Sequence, residues 1–371
     1  PYTTLFRSGK VEENFAKAHP EYNITWKNDV VSEGDASKQV STDPSAAADV
    51  YMFASDQLGV LMDAKAIGQL GTDAEKQVKE QNGDLEVNSV TGTDGKLYGV
   101  PYTDNTWFMY YNKSKITEDE AKDFDTILSK AKVAFSLQNS WYINGFYDGL
   151  SLFGEKGNDA DAGMVFPKDG ADITSYLVDV VANPNFSNDD GASGLAAIKD
   201  GSADVLFSGT WSAKDVKEAL GDNYAATSLP TFTVNGQKKQ MKSFAATKAA
   251  AYNPNAKNPK AAAQFAAYLG STEAQKLHYE MRAIPPTDKS LSDLTTDDIA
   301  AKAQADTMAN TALLQSGLSG MNDWWTPAET FGKALVNKEI TKLQKSGELD
   351  KLFKKAQEIQ EQNTKDFLKC L

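Results

Sequence analysis

The stretch Gly99-Val-Pro-Tyr-Thr-Asp-Asn-Thr-Trp-Phe-Met-Tyr-Tyr-Asn-Lys113 constrains the fold most. Trp107 to Tyr111 is an apolar, aromatic run too short for a helix, bounded by Pro101 upstream and Asn112-Lys113 downstream, so it reads as a buried strand. Thr103, Asp104 and Asn105 stand at its mouth. A polar loop feeding a buried strand suits a hinge and one wall of a cleft.

A chain of 371 residues is long for a single core, which favours two domains. With 38 basic and 51 acidic residues the net charge is −13, which leaves no basic footprint to neutralise phosphates and disfavours nucleic acid or an anionic membrane as partner. No apolar run approaches the roughly 20 residues needed to span a bilayer. The single cysteine, Cys370, excludes an internal disulfide framework and a thiolate metal cluster. The two histidines, His19 and His278, are too few for a His-rich metal site and read as surface helix residues.

Along the chain, Val11 to His19 reads as the end of an amphipathic helix stopped by Pro20, and Tyr22 to Trp26 alternates like a strand. Asp49-Val-Tyr-Met-Phe53 is an apolar strand, followed by Ala54-Ser55-Asp56-Gln57 and a helix with Leu58, Leu61 and Met62 on one face. That succession is the βα unit of a parallel sheet. Thr117 and Glu120 form a capping box for the next helix. Val133 to Leu137 and Asp204 to Phe207 are further strands, running into Gln138-Asn-Ser-Trp-Tyr142 and Ser208-Gly-Thr-Trp-Ser212. Asn235-Gly236 marks a hairpin, Pro259 opens a helix that Gly270 closes, and Leu352, Phe353, Ala356 and Ile359 have helical spacing near the C-terminus. Asn158-Asp-Ala-Asp161 faintly resembles a calcium loop but lacks the acidic residue at its twelfth position, so a solvated turn is expected there.

Three βα junctions share one chemical character: Phe53, Asp56 and Gln57; Asn139, Ser140, Trp141 and Tyr142; and Thr210 with Trp211. Asp104 and Asn105 add to them, as does the aromatic pair in Met321-Asn-Asp-Trp-Trp-Thr-Pro-Ala-Glu329. Ligands of open α/β sheets bind at the carboxyl ends of strands. Aromatic faces beside amides and carboxylates suit the C–H faces and hydroxyls of an uncharged sugar. Trp107 and Phe108 lie inside the strand run and read as core. Trp324 and Trp325 point about 100° apart on a helix, so at most one faces a ligand. Catalysis has little support, since no nucleophile elbow, Walker loop, dinucleotide fingerprint or His-Glu-x-x-His motif is present; paired carboxylates of a glycosidase remain open, because their separation is spatial.

At these residues the chain resembles the maltose/maltodextrin-binding family, the extracellular solute-binding subunits of ABC sugar importers. Asp49 to Gly59 is similar to the family's second strand and sugar-contacting loop, and Gly99 to Asn105 through Lys113 to its first interlobe crossing. Gln138 to Tyr142, Gly209-Thr-Trp211 followed by Leu229-Pro-Thr-Phe232, Ala283-Ile-Pro285 and Trp324-Trp325 follow in family order. The resemblance implies a two-lobed α/β periplasmic-binding-protein-like fold with a ligand cleft between lobes and three interlobe crossings near residues 105, 245 and 296. The N-lobe would combine residues 9–105 with 246–296, and the C-lobe 106–245 with 297–371. Asp56 and Gln57 would bond sugar hydroxyls, and Phe53 would take a position that is usually aromatic. Asp104 and Asn105 would join them, with Asn105 and Asn139 where relatives often carry glutamates. Trp141, Trp211 and Trp325 would stack on successive glucose rings, Tyr142 would lie beside them, and Glu329 falls where a basic residue can occur.

The function expected is non-enzymatic capture of maltose or maltodextrins by hinge closure, for delivery to a membrane ABC permease, by a monomer without cofactor or metal. The alternatives are another oligosaccharide or a peptide on the same fold, and a glycoside-acting enzyme. The resemblance also implies export, as a tethered lipoprotein or into the periplasm. Residues 1–8 match the frame translation of a common sequencing adapter, so they are expected to be an assembly artefact in place of the signal segment, lipidated cysteine and first strand.

Overall fold

The computed structural model describes residues 2–31, 33, 36–154, 157 and 159–339. The expected C-terminal helix around Leu352 to Ile359, Cys370, and Asn158 of the calcium-like loop lie outside the described residues. The chain forms two compact units. Among the described residues, one takes in those up to Asn105, Ala246–Asp297 and Leu314–Ser319; the other takes in Thr106–Ala245, Asp298–Leu313 and residues 320–339. Leu314–Ser319 therefore departs from the expected 297–371 segment, and two glycines show why. The Gly59 amide donates to the Gly317 carbonyl at 2.7 Å. A Cβ on Gly59 would stand 2.5 Å from the Ser319 nitrogen, so only glycine admits this backbone approach.

In the first unit the central strand is Ser243–Tyr252, of which residues from Ala246 onward belong here. Val50–Ala54 pairs antiparallel along one side, with Ala54 opposite Lys248. Val100–Asn105 pairs antiparallel along the other, with Asp104 opposite Thr247. The parallel βα unit expected at residues 49–62 is thus corrected. The strand, the 3-10 turn Ser55–Gln57 and the helix Leu58–Asp63 are present, but the strand's partner is an alanine-rich antiparallel one. Because both outer strands oppose the same neighbour, their carboxyl ends lie at the same end of the sheet, beside Ala246–Lys248.

Alternate residues of a strand face opposite sides. Ala249 and Ala251 accordingly join Phe53, Leu58, Leu61, Ile67 and Val100 in one core, while Ala250 joins Val11 and Leu269 in another. The helix Tyr2–Ala18 covers the second face, and it ends where Val11 to His19 reads as the end of a helix. Phe15 packs on Phe265 at 4.9 Å between ring centroids, and Trp26 lies 4.8 Å from the same ring. Tyr22 to Trp26 is not a strand: it joins no sheet, and its aromatic residues pack on helix Pro259–Leu269 instead. His278 also departs from the surface position expected, being buried edge-on to the Tyr102 ring at 5.2 Å. His19 is partly exposed beside Glu21.

The second unit carries a mixed five-stranded sheet. Phe186–Asn188, Val133–Phe135 and Val205–Ser208 are parallel neighbours, and Phe108–Asn112 lies antiparallel between Val205–Ser208 and Tyr224–Thr227. Both faces are covered, which explains why Trp107–Tyr111 reads as a continuous apolar run. Phe108 and Tyr110 face Ile198, Leu206, Val216 and Ala303. Trp107 faces the other way, edge-on to Phe135 and Phe207 at 5.6 and 6.1 Å.

Local signals act as the residue types require. Asn235 and Gly236 both have positive φ, 49° and 76°, in the hairpin between Thr231–Val234 and Gln237–Gln240. Thr117 and Glu120 exchange the two capping-box bonds, at 2.8 and 3.3 Å. They close a 3-10 turn, Glu120–Lys122; the α-helix proper, Phe124–Lys130, is capped by Asp123, which accepts from the Thr126 amide at 2.8 Å. In the calcium-like loop, Asp159 accepts from the amides of Asp161 and Ala162.

Candidate functional site

In the second unit, Val133–Phe135 and Val205–Ser208 are parallel neighbours, so the loops leaving their carboxyl ends emerge side by side. These loops carry Trp141 and Trp211. The two rings lie 6.0 Å apart between centroids at 38°, and Trp211 is 52% exposed, the only large aromatic among the described residues left so open. They form an aromatic shelf with an outward face. Helix Asn322–Val336 adds Trp325, partly exposed and edge-on to Phe244 at 6.0 Å.

Two buried tryptophans hold the Trp141 loop from behind. The Trp324 indole N–H donates to the Ser140 carbonyl at 3.1 Å, and that of Trp107 donates to the Trp141 carbonyl at 3.0 Å. Two successive carbonyls are thereby pinned by indoles, a role that phenylalanine lacks the donor to fill. Gly332 lets the helix close on the same loop, since a Cβ there would stand 2.6 Å from the Leu137 carbonyl. Of the adjacent pair on the helix, Trp324 is the buried one and Trp325 the one with free surface.

The other expected residues of this unit divide. Asn139 is exposed, but its side-chain oxygen accepts from the Trp141 amide at 2.8 Å and so shapes the loop. Tyr142 is a correction: it is buried and stacked on Trp107 at 5.0 Å and 23°, facing the core rather than a ligand. Burial pushes its phenol pKa up. Glu329 pairs with Lys333 at 2.5 Å one turn along the helix.

In the first unit, Asp56 sits in the turn after Val50–Ala54, and Asp104 and Asn105 end the strand Val100–Asn105. All three are partly exposed, and both ends flank Ala246–Lys248. The Ser55 hydroxyl accepts from the Thr247 amide at 3.0 Å and ties the Asp56 turn to the central strand. Burial raises the Asp56 carboxyl to about 6. Burial, with the Glu86 carboxylate nearby, holds that of Asp104 well above the usual range. Phe53 and Gln57 are corrections. Phe53 is wholly buried in the core with Leu58, Leu61 and Val100, and Gln57 is buried with its oxygen accepting from the Ser37 amide at 3.0 Å.

Asp56 has a testable pH signature. Its carboxyl moves from 3.8 to about 6, so between those pH values the folded chain binds a proton that the unfolded chain releases. Its contribution to stability is therefore greatest in acid and is lost as pH rises through about 6. Thermal midpoints of the native chain minus those of Asp56→Asn are expected to fall across that window and level off above it. A difference that rises with pH, or stays flat, contradicts the assignment.

A family model described as bacterial extracellular solute-binding protein matches residues 10–307. The chain belongs to that family. Among relatives of this solute-binding protein, a maltooligosaccharide ABC transporter solute-binding lipoprotein of Streptococcus pneumoniae R6 is 28% identical over 294 residues, 71% of this chain and 68% of the other. A galactooligosaccharide-binding protein of Bacillus subtilis 168 is 27% identical over 309 residues, 76% and 70% of the two chains. A solved structure with acarbose is similar at a TM-score of 0.87 and 39% identity, covering 97% of this chain and 94% of the other. The maltodextrin binding protein MalE1 from L. casei BL23, without ligand, is similar at a TM-score of 0.83 and 27% identity, covering 95% and 96%. The fold is the two-lobed α/β fold of these binding proteins. No described helix is long and apolar enough to cross a membrane.

Two kinds of residue escaped sequence reasoning. Trp107 and Trp324 act through indole N–H groups toward backbone carbonyls, and Gly209 and Gly332 act by lacking a side chain. Neither leaves a periodic or compositional signal.

Proposed function

We propose that this chain captures maltodextrin-type oligosaccharides for an ABC importer and releases them chemically unchanged to a membrane permease. The observation that carries this reading is the exposed Trp211 ring paired with Trp141, an apolar surface of the kind that the C–H faces of glucose units stack on. Trp325, on helix Asn322–Val336 of the same unit, supplies a further ring. In the first unit, taken by itself, the partly exposed Asp56, Asp104 and Asn105 offer acceptors and an amide to hydroxyls. The names of the pneumococcal and L. casei relatives agree with that chemistry. In this reading the protein works as a monomer outside the membrane, tethered by a lipid as its lipoprotein relatives are named. A second reading, galacto-oligosaccharides, draws on the B. subtilis relative, whose identity is nearly the same.

Titration of intrinsic tryptophan fluorescence with maltotriose tests the reading. A saturable change at micromolar sugar, about 8 kcal/mol of binding, is expected, with the trisaccharide recovered intact. Saturation with galacto-oligosaccharides alone supports the second reading, and shortened products overturn the assignment as a binding protein.

A further inference from the structure

Gly209 lies between the strand Val205–Ser208 and the 3-10 turn Thr210–Ser212. Its backbone, at φ −106° and ψ −171°, is extended and open to any residue, so conformational freedom does not explain a glycine here. Its surroundings do. A Cβ on Gly209 would stand 2.0, 2.3 and 2.5 Å from three atoms of the six-membered ring of Trp211. The indole occupies the space that a side chain at 209 would need.

The backbone beneath is fixed. The Gly209 carbonyl accepts from the Tyr110 hydroxyl at 2.9 Å and from the Ser212 amide at 3.1 Å. The hydroxyls of Ser208 and Ser212 bond across the turn at 2.8 Å. Tyr110 is buried in the neighbouring strand, so the strand end has little freedom to yield. The half-exposed ring does have that freedom. A methyl group at 209 would therefore lift the indole and change its angle to Trp141 while leaving the strand in place.

We propose that Gly209 is a positioning residue for oligosaccharide recognition: its bare α-carbon seats the Trp211 ring and sets the angle at which that ring completes the shelf with Trp141. The consequence for sugar rests on the maltodextrin reading above; the seating of the ring does not.

The test compares the native chain with Gly209→Ala, Trp211→Ala and the double variant. The far-ultraviolet exciton signal of the Trp141–Trp211 pair needs no ligand, and Trp211→Ala defines its loss. Gly209→Ala is expected to change that signal with an unaltered thermal midpoint, and to weaken maltotriose binding about two- to tenfold, the range that a lost aromatic stack spans. The double variant is expected to bind no worse than Trp211→Ala alone, because the glycine acts through the ring. An unchanged exciton signal in Gly209→Ala overturns the proposal. So does a lowered thermal midpoint, which makes the glycine structural, or affinity losses that add in the double variant. If the native chain binds no maltodextrin, the functional reading fails, and the exciton comparison still decides the seating of the ring.

Discussion

Trp107→Ala is expected to destabilise the second unit by about 3–5 kcal/mol, the range for deleting a large buried aromatic side chain. The ring is fully buried, stacked on Tyr142 at 5.0 Å and edge-on to Phe135 and Phe207. Gly145 packs against it so closely that a Cβ there would stand 2.7 Å from the indole, so the site has no slack to collapse into. The substitution also removes the donor to the Trp141 carbonyl at 3.0 Å. Two losses are expected together: a lower urea midpoint, and weaker sugar binding at temperatures where the protein is still folded. Trp107→Phe separates them in part, since it keeps much of the apolar volume while removing the donor to the Trp141 carbonyl. A Trp107→Ala protein with an unchanged urea midpoint would show that the indole is not the keystone of this core.

Much of this architecture is legible in the sequence, and the misses have physical causes. Val50–Ala54, Phe108–Asn112, Val133–Phe135 and Val205–Ser208 are short runs of β-branched or aromatic residues closed by turn formers, which is what a buried strand needs. The central strand of the first unit is the exception. Ser-Phe-Ala-Ala-Thr-Lys-Ala-Ala-Ala-Tyr252 has the alanine content of a helix, and its strand state is imposed by neighbours on both sides. Small side chains there permit close packing: a Cβ on Gly99 would stand 3.0 Å from both the Ala249 methyl and the Phe53 ring. With that strand beside it, Val50–Ala54 pairs antiparallel rather than in the parallel unit expected at residues 49–62.

The site shows the same division. Composition marks which loops are rich in aromatic, amide and carboxylate groups, but not which way each residue of a loop points, because a one-residue change of register exchanges the two faces. Trp141 and Tyr142 are adjacent and equally aromatic, yet one is on the shelf and the other is stacked on Trp107. Asp56 and Gln57 are also adjacent, and only Asp56 keeps partial exposure, the other being buried and bonded to Ser37.

Trp211→Ala is expected to weaken maltotriose binding at least tenfold, about 1.4 kcal/mol, while changing stability by less than about 0.5 kcal/mol. The separation follows from exposure. At 52% exposed the ring contributes little to the core, and its neighbours are the Trp141 ring and the bare backbone of Gly209. What it offers is a pre-oriented apolar face, and truncating one well-placed aromatic of a binding surface commonly removes 1–2 kcal/mol or more. Trp325→Ala is the necessary comparison. It too is expected to weaken binding, but with a measurable loss of stability, because that ring is partly buried against Phe244. Calorimetric titration of both variants with maltotriose, alongside their thermal midpoints, distinguishes a platform from a packing residue. Unchanged titration curves for both would remove aromatic stacking as the basis of recognition and leave the hydroxyl contacts proposed for Asp56, Asp104 and Asn105 to account for it. Loss of binding in Trp325→Ala alone would instead place the sugar against helix Asn322–Val336 and leave the Trp141–Trp211 shelf outside the contact.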